Sequence, residues 1–220
     1  MKNFNEKKFY STEFGQAVLT DINNNIESLN LNSLEYFPYT KFVELKKDIR
    51  INKVKILSFY KYKLLIGFYS GSNRKRLHDF VLLIPNLIMI VSLILSFILK
   101  EWIFLFTIPT VLIFYSKSTN SNNKSYLKYI PVLSFLFSIL TYYNNYEHAS
   151  ILFILIFIAT SSILFARKQF NDTMTFFSTL NEQMFCFLYT RDYIFLETSD
   201  NVYIYSAMKR INEIVKNGHS

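Results

Sequence analysis

Lys53, Lys55, Lys61 and Lys63 are interleaved with the aromatic rings of Phe59, Tyr60 and Tyr62. Ammonium groups attract phosphates and aromatic faces stack on bases, so this stretch suits a nucleotide or oligonucleotide ligand. It also suits a strand lying against anionic lipid. Arg191, on a turn near the C-terminal end, is a further cation for such a ligand. Other chemistry is sparse. The four glycines, Gly15, Gly67, Gly71 and Gly218, build neither a phosphate loop nor a dinucleotide fingerprint. His78, His148 and His219 stand apart, with no His pair at the i, i+4 spacing of a zinc protease. The single cysteine, Cys186, excludes an internal disulfide and a cysteine-rich zinc site, and its apolar surroundings suit a small core residue. Asp192, Glu197 and Asp200 fall on expected turns and strand ends, where solvated carboxylates are ordinary. No catalytic residue, metal ligand set or cofactor site emerges, and the expectation is a protein that is not an enzyme.

The elements that must position these residues are organised around four apolar runs, at about 80–99, 102–116, 129–146 and 149–166, none with Asp, Glu, Lys, Arg or His. Twenty apolar helical residues cover a hydrocarbon core of roughly 30 Å. The second run is short for a full span and needs bilayer thinning or protection by its neighbours. The absence of ionisable groups argues against a proton pump or ion-coupled transporter, which hold their ion at mid-depth. What remains polar includes Asn86, Ser92, Ser96, Thr107, Thr110, Ser134 and Ser138. Ser92/Ser96 and Ser134/Ser138 lie four apart, each pair on one helix face. Such faces line either a water-filled path or a close helix–helix contact. Ser92 and Ser96 are expected at the central interface between subunits. Pro109, in mid-run, is expected to kink the second span, and Pro85 the first.

Orientation follows from charge. Arg74, Lys75, Arg76, Lys117, Lys124, Lys128, Arg167 and Lys168 flank one side of the spans, and Lys100 alone flanks the other. The positive-inside rule puts both termini in the cytoplasm, with Arg74, Lys75, Arg76, Arg167 and Lys168 as lipid-headgroup anchors. The net charge of +8 agrees with an anionic partner without choosing between membrane and nucleotide.

Residues 1–78 read as an N-terminal cytosolic α+β part. A helix runs over Phe14, Val18, Ile22, Ile26 and Leu29, capped by Ser11 or Thr12; a second covers Tyr39 to Lys47; two strands lie within Lys53–Gly71. Residues 79–166 hold the four spans. In 167–220 the fourth helix continues past Phe170, Met174 and Phe177 towards Met184. A three-stranded meander follows, beginning at Met184, with turns at Arg191–Asp192 and Ser199–Asp200–Asn201, and then a helix from about Met208. Three short strands alone leave an apolar face uncovered. The expected fold is therefore a membrane α-helical protein: four transmembrane helices with a composite cytosolic α+β domain formed by the N- and C-terminal segments.

Two functional readings follow. The first is a homo-oligomeric pore or membrane-perturbing effector, most simply a tetramer, gated by a nucleotide or oligonucleotide at its cytosolic domain. The second is a non-conducting membrane sensor or scaffold that recruits a cytosolic partner protein. The basic cytosolic portion, the four uncharged spans and the compact outer turns resemble the small four-span membrane effectors that accompany nucleotide-signalling antiviral systems in bacteria. That resemblance implies the first reading and a bacterial inner-membrane location, and the Asn-, Lys-, Ile- and Phe-rich composition suits an AT-rich bacterial genome.

Overall fold

The computed structural model describes residues 9–25, 29–34, 37–58, 67–69, 74–119, 125–199 and 201–207. The chain divides into two compact units, one of residues 1–72 with 170–220 and one of residues 73–169.

In the first unit, α1 (Glu13–Asn24) begins where the sequence signals it. Thr12 is the N-cap, and its Oγ1 accepts from the Gly15 amide at 3.1 Å. Val18 and Ile22 turn inward. Gly15 has no alternative, because a Cβ there would come within 2.1 Å of the Phe9 carbonyl oxygen. The helix stops at Asn24 instead of continuing to Leu29. α2 (Phe42–Arg50) begins and ends three residues later than expected. The chain then turns at Asn52, whose φ of 58° is tolerated by Asn. The Lys53 and Val54 amides close the helix end on the Asp48 carbonyl, at 3.0 and 3.3 Å. β1 (Lys55–Ser58) follows. Of the second expected strand, residues 59–66 lie outside the described residues, and Gly67 and Phe68 are helical.

The C-terminal half of this unit corrects one expectation. Met184–Thr190, read as the first strand of a meander, lies in helix α7 (Glu182–Thr190), numbered here after the four helices of the second unit. An apolar run of this length does not distinguish buried strand from buried helix by periodicity. The deciding signal lies upstream: Asn181 accepts from the Met184 amide at 2.7 Å, with Glu182 in the first turn. Every residue from Met184 to Tyr189 is buried, which an amphipathic pattern would not reveal. Asp192, with φ 51°, turns the chain into β2 (Ile194–Glu197). A turn closed by the Thr198 amide on the Asn201 carbonyl leads to β3 (Val202–Tyr203). Helix resumes at 205, somewhat before the expected Met208.

The sheet has the order β1-β2-β3, antiparallel throughout, with Lys55 opposite Glu197, Ser58 opposite Ile194, and Leu196 opposite Tyr203. It thus joins strands from the two ends of the chain. The open edge of β1 is not left to solvent. Asn171 Oδ1 accepts from the Ser58 amide at 2.9 Å and from Ser58 Oγ at 2.8 Å, and its Nδ2 donates to the Ile56 carbonyl at 3.2 Å. The side-chain amide occupies the place of a further strand, which removes an edge that would otherwise pair with another chain. Beneath the sheet, Phe9, Phe68 and Phe177 pack with ring centroids 4.6–5.7 Å apart. Leu45, Ile56, Met174, Met184 and Leu196 complete the core.

The second unit is helical: α3 (Arg74–Ile98), a 3-10 segment (Trp102–Phe106) running into α4 (Thr107–Thr119), α5 (Tyr129–Tyr143) and α6 (Glu147–Ser178). α6 also supplies Phe170, Met174 and Phe177 to the first core, so it continues past the fourth apolar run without a break as far as Ser178. Met184 belongs to the next helix. Among the described residues, two helices are long and apolar enough to cross a membrane, Arg76–Ile98 and Glu147–Ser178; Trp102–Ser118 and Tyr129–Tyr143 are apolar but shorter. Pro109 does not sit at a mid-helix kink. The 3-10 segment ends before it, so it falls in the first turn of α4, where amides have no intrahelical acceptor to lose. Pro85 lies inside α3, whose helix runs through it.

Candidate functional site

The two lysines of the basic stretch that are described, Lys53 and Lys55, are exposed on the rim of a cleft of about 690 Å³. The end of α2 and the start of β1 form one wall, with Asp48 and Tyr39; the end of β2 and its turn form the other, with Glu197 and Thr198. Tyr39 Oη donates to Asp48 Oδ2 at 2.9 Å. Burial, then the neighbouring carboxylate, push the phenol up to about 12, so it remains a neutral donor at physiological pH. Lys55 faces Glu197 across the strand pair. Two ammonium groups therefore meet two carboxylates among the lining residues, and the cleft presents a balanced rim instead of a net cationic one. Tyr60, Lys61 and Lys63 lie outside the described residues.

Arg191 is not brought to this cleft. It precedes β2, whose other end carries Glu197, and its Nη2 lies 2.7 Å from Asp21 Oδ2, with the guanidinium 5.9 Å from the Phe187 ring centroid. It clasps α1 to the turn after α7. No spacing rule links residues 170 positions apart, so sequence reasoning could not find Asp21 as its partner. The same holds for the Tyr39–Asp48 bond, since nothing before Phe42 announces where the chain packs.

The hydroxyls of the apolar helices are turned inward. Ser92 and Thr107 have no exposed surface, and Ser96, Ser134 and Ser138 are buried. Ser134 and Ser138 donate to the carbonyls of Ile130 and Phe135 in their own helix. Ser150 Oγ donates across to the Ser138 carbonyl at 2.9 Å, joining α5 to α6. Ser92 and Ser96, expected at an interface between subunits, are both buried within the chain itself. Asn86 is exposed, and Thr110 is half-buried with its hydroxyl on the Phe106 carbonyl. Of the residues expected as headgroup anchors, Arg76 and Lys168 are exposed, and Arg74 and Lys75 open α3. Arg167 is half-buried and donates to the Ser118 carbonyl, covering one of the orphan carbonyls at the end of α4. It is thus a helix-end clamp.

Among the described residues, no three of His, Cys, Asp and Glu gather as metal ligands. Cys186 is fully buried, and burial pushes its thiol up to about 12, which keeps it protonated and unreactive. No family model, curated protein or solved structure matches the chain.

Proposed function

We propose that this is a multi-span membrane protein that acts on the bilayer as a homo-oligomer, by a pore or by local disruption, when its two-ended α+β domain takes a cytosolic signal. The observation that carries the membrane part is the change of surface along α6. After its polar first residues Glu147 and His148, its exposed positions up to residue 166 are Ile151, Ile154, Ile158 and Phe165; beyond, they are Lys168 and Asp172. One helix, apolar on both faces and then amphipathic, suits two solvents, lipid and then water. The four apolar helical segments, read as two hairpins, are supported by the helix ends. His148 Nδ1 lies 3.4 Å from Glu101 Oε1, which ties the connector after α3 to the first turn of α6. Arg167, where the apolar part of α6 gives way to its polar part, ties that helix to the end of α4. Short α4 and α5 favour bilayer thinning, and so the disruptive mode.

The inward hydroxyls favour a second reading, a non-conducting sensor or scaffold, because no polar stripe is left for water within one protomer. Liposomes holding the assembled protein decide between the two. Ion or dye release on addition of a nucleotide supports the effector; a tight bilayer across a broad nucleotide panel supports the scaffold. Orientation is tested in a Cys186→Ala background with single cysteines at Asn145 and Asn122. On intact cells an impermeant thiol reagent should label Asn145→Cys and not Asn122→Cys; the reverse pattern rejects cytoplasmic termini.

A further inference from the structure

A second cleft in the first unit, about 430 Å³, opens between α2 and the end of α6. Lys46 and Arg50 stand four apart on α2, with Ile49 between them. Thr175, in the last turn of α6, and Thr179, just past its end, stand four apart beside Phe176 and Leu180. Each pair shares one helix face. A cationic stripe therefore faces a hydroxyl stripe across an apolar floor. Neither Lys46 nor Arg50 is in an ion pair with a described residue, and the described lining includes no carboxylate. Lys53 and Lys55, in the other cleft, are matched by Asp48 and Glu197.

The bland account of Lys46 and Arg50 is compensation of the α2 C-terminus. A helix end carries roughly −0.5 of a charge, and α2 and α6 both end here. Two such ends offset about one of the two positive charges, leaving a cationic excess of about one. The α6 carbonyls are also already engaged: the Thr175 carbonyl accepts from the Thr179 amide and from Ser178 Oγ. The Thr179 hydroxyl donates to the Phe176 carbonyl at 3.0 Å, which leaves Thr175 as the hydroxyl able to donate to a ligand.

We propose that Lys46, Arg50 and Thr175 bind the phosphate of a small organic anion whose apolar part rests on Phe176, Leu180 and Ile49. Arg supplies a planar fork for phosphate oxygens and Lys a point charge. The phosphate can come from a soluble phosphorylated metabolite or from a lipid headgroup. The site stands without the membrane reading, since binding is measured apart from any flux.

The test uses the full chain in zwitterionic phosphatidylcholine nanodiscs, titrated calorimetrically with inorganic pyrophosphate, with ATP and with dioctanoyl phosphatidic acid. The expected result is saturable binding, one per protomer, of at least one probe. It should weaken about tenfold or more in Lys46→Gln/Arg50→Gln, the scale of losing charged hydrogen bonds, and stay unchanged in Lys53→Gln/Lys55→Gln. Binding of pyrophosphate or ATP assigns a soluble ligand, and binding of phosphatidic acid alone assigns a headgroup. The Gln variants keep the side-chain stems, and a Thr175→Val variant, which leaves both cations in place, should weaken binding as well. The proposal is overturned by no saturable binding of any probe, or by binding that survives Lys46→Gln/Arg50→Gln and falls with the Lys53/Lys55 pair.

Discussion

Replacing Asn171 by Ala tests how the two ends of the chain are held in one sheet. Three hydrogen bonds connect this side chain to β1: two from Ser58 to Oδ1 and one from Nδ2 to the Ile56 carbonyl. Each is worth about 1 kcal/mol net, and Ser58, which is buried, would be left with an unsatisfied amide. The expected local loss is about 2–4 kcal/mol, or roughly 30- to 1,000-fold in an opening equilibrium. Hydrogen exchange resolved by mass spectrometry on a peptide spanning 55–58 reads it directly, with a peptide from α5 as the unaffected control. Asn171→Asp keeps the acceptor for Ser58 but sets a carboxylate against the Ile56 carbonyl, so its loss should be intermediate. Unchanged protection of β1 in Asn171→Ala, or an equal loss in both variants, would refute the edge-covering role.

Gly15→Ala should destabilise the first unit by more than about 1 kcal/mol, because the new methyl meets the Phe9 carbonyl at the start of the helix; thermal unfolding by circular dichroism measures it. If the proposed membrane surrounds these helices, Ser150→Ala should weaken α5–α6 packing by about 0.6 kcal/mol, the typical worth of an interhelical bond there. Ser92→Ala should be neutral or stabilising, since Ser92 Oγ finds no partner in its buried position. Opposite signs for these two serine variants in a steric-trapping assay would confirm the contrast. Stability should also fall in alkali. The folded-state pKa values of Tyr39 and Cys186 are raised to about 12, and that of Tyr189 is raised too. Their contribution is complete below the unfolded values near 9–10 and is lost as pH climbs towards 12. Tyr39→Phe should flatten that fall; a denaturation midpoint independent of pH from 9 to 12 would contradict the raised values of all three.

Much of the fold is legible where a local cap or breaker carries it. Thr12 announces α1, Arg191–Asp192 announces the turn before β2, and the uncharged runs announce the long helices. The misreadings have local causes as well. Met184–Thr190 looks like a strand because it is apolar on every side, and only Asn181 with Glu182 betrays a helix start. Pro109 looks like a mid-span kink because the run around it is continuous, whereas the backbone changes from 3-10 to α just before it. The candidate sites are less legible than the fold. Lys53 and Lys55 are visible as charges, but Tyr39, Asp48 and Glu197 reach the same cleft only through tertiary packing. Lys46 and Arg50 are an i, i+4 pair in plain view, yet their significance depends on Thr175 and Thr179, which lie far along the chain.

The hydroxyls bear on how any conduction would have to be built. Ser92, Ser96, Thr107, Ser134 and Ser138 are all buried within the chain, while the outward positions of α3 and α5 include Leu83, Leu87, Ile90, Phe97, Val132 and Leu136. Water does not enter a closed contact between hydroxyl-bearing helices, so a path, on the effector reading, runs between protomers or through thinned lipid. A substitution such as Ser92→Leu then overfills a packed interior, at a cost of about 1–3 kcal/mol, and any loss of flux it causes reports misfolding instead of a blocked pore. Asn86, exposed on α3 amid apolar neighbours, is the informative position. If protomers enclose water along α3, Asn86 lies where its polarity is needed; if lipid covers that face, Leu in its place removes a polar group from hydrocarbon and leaves release untouched.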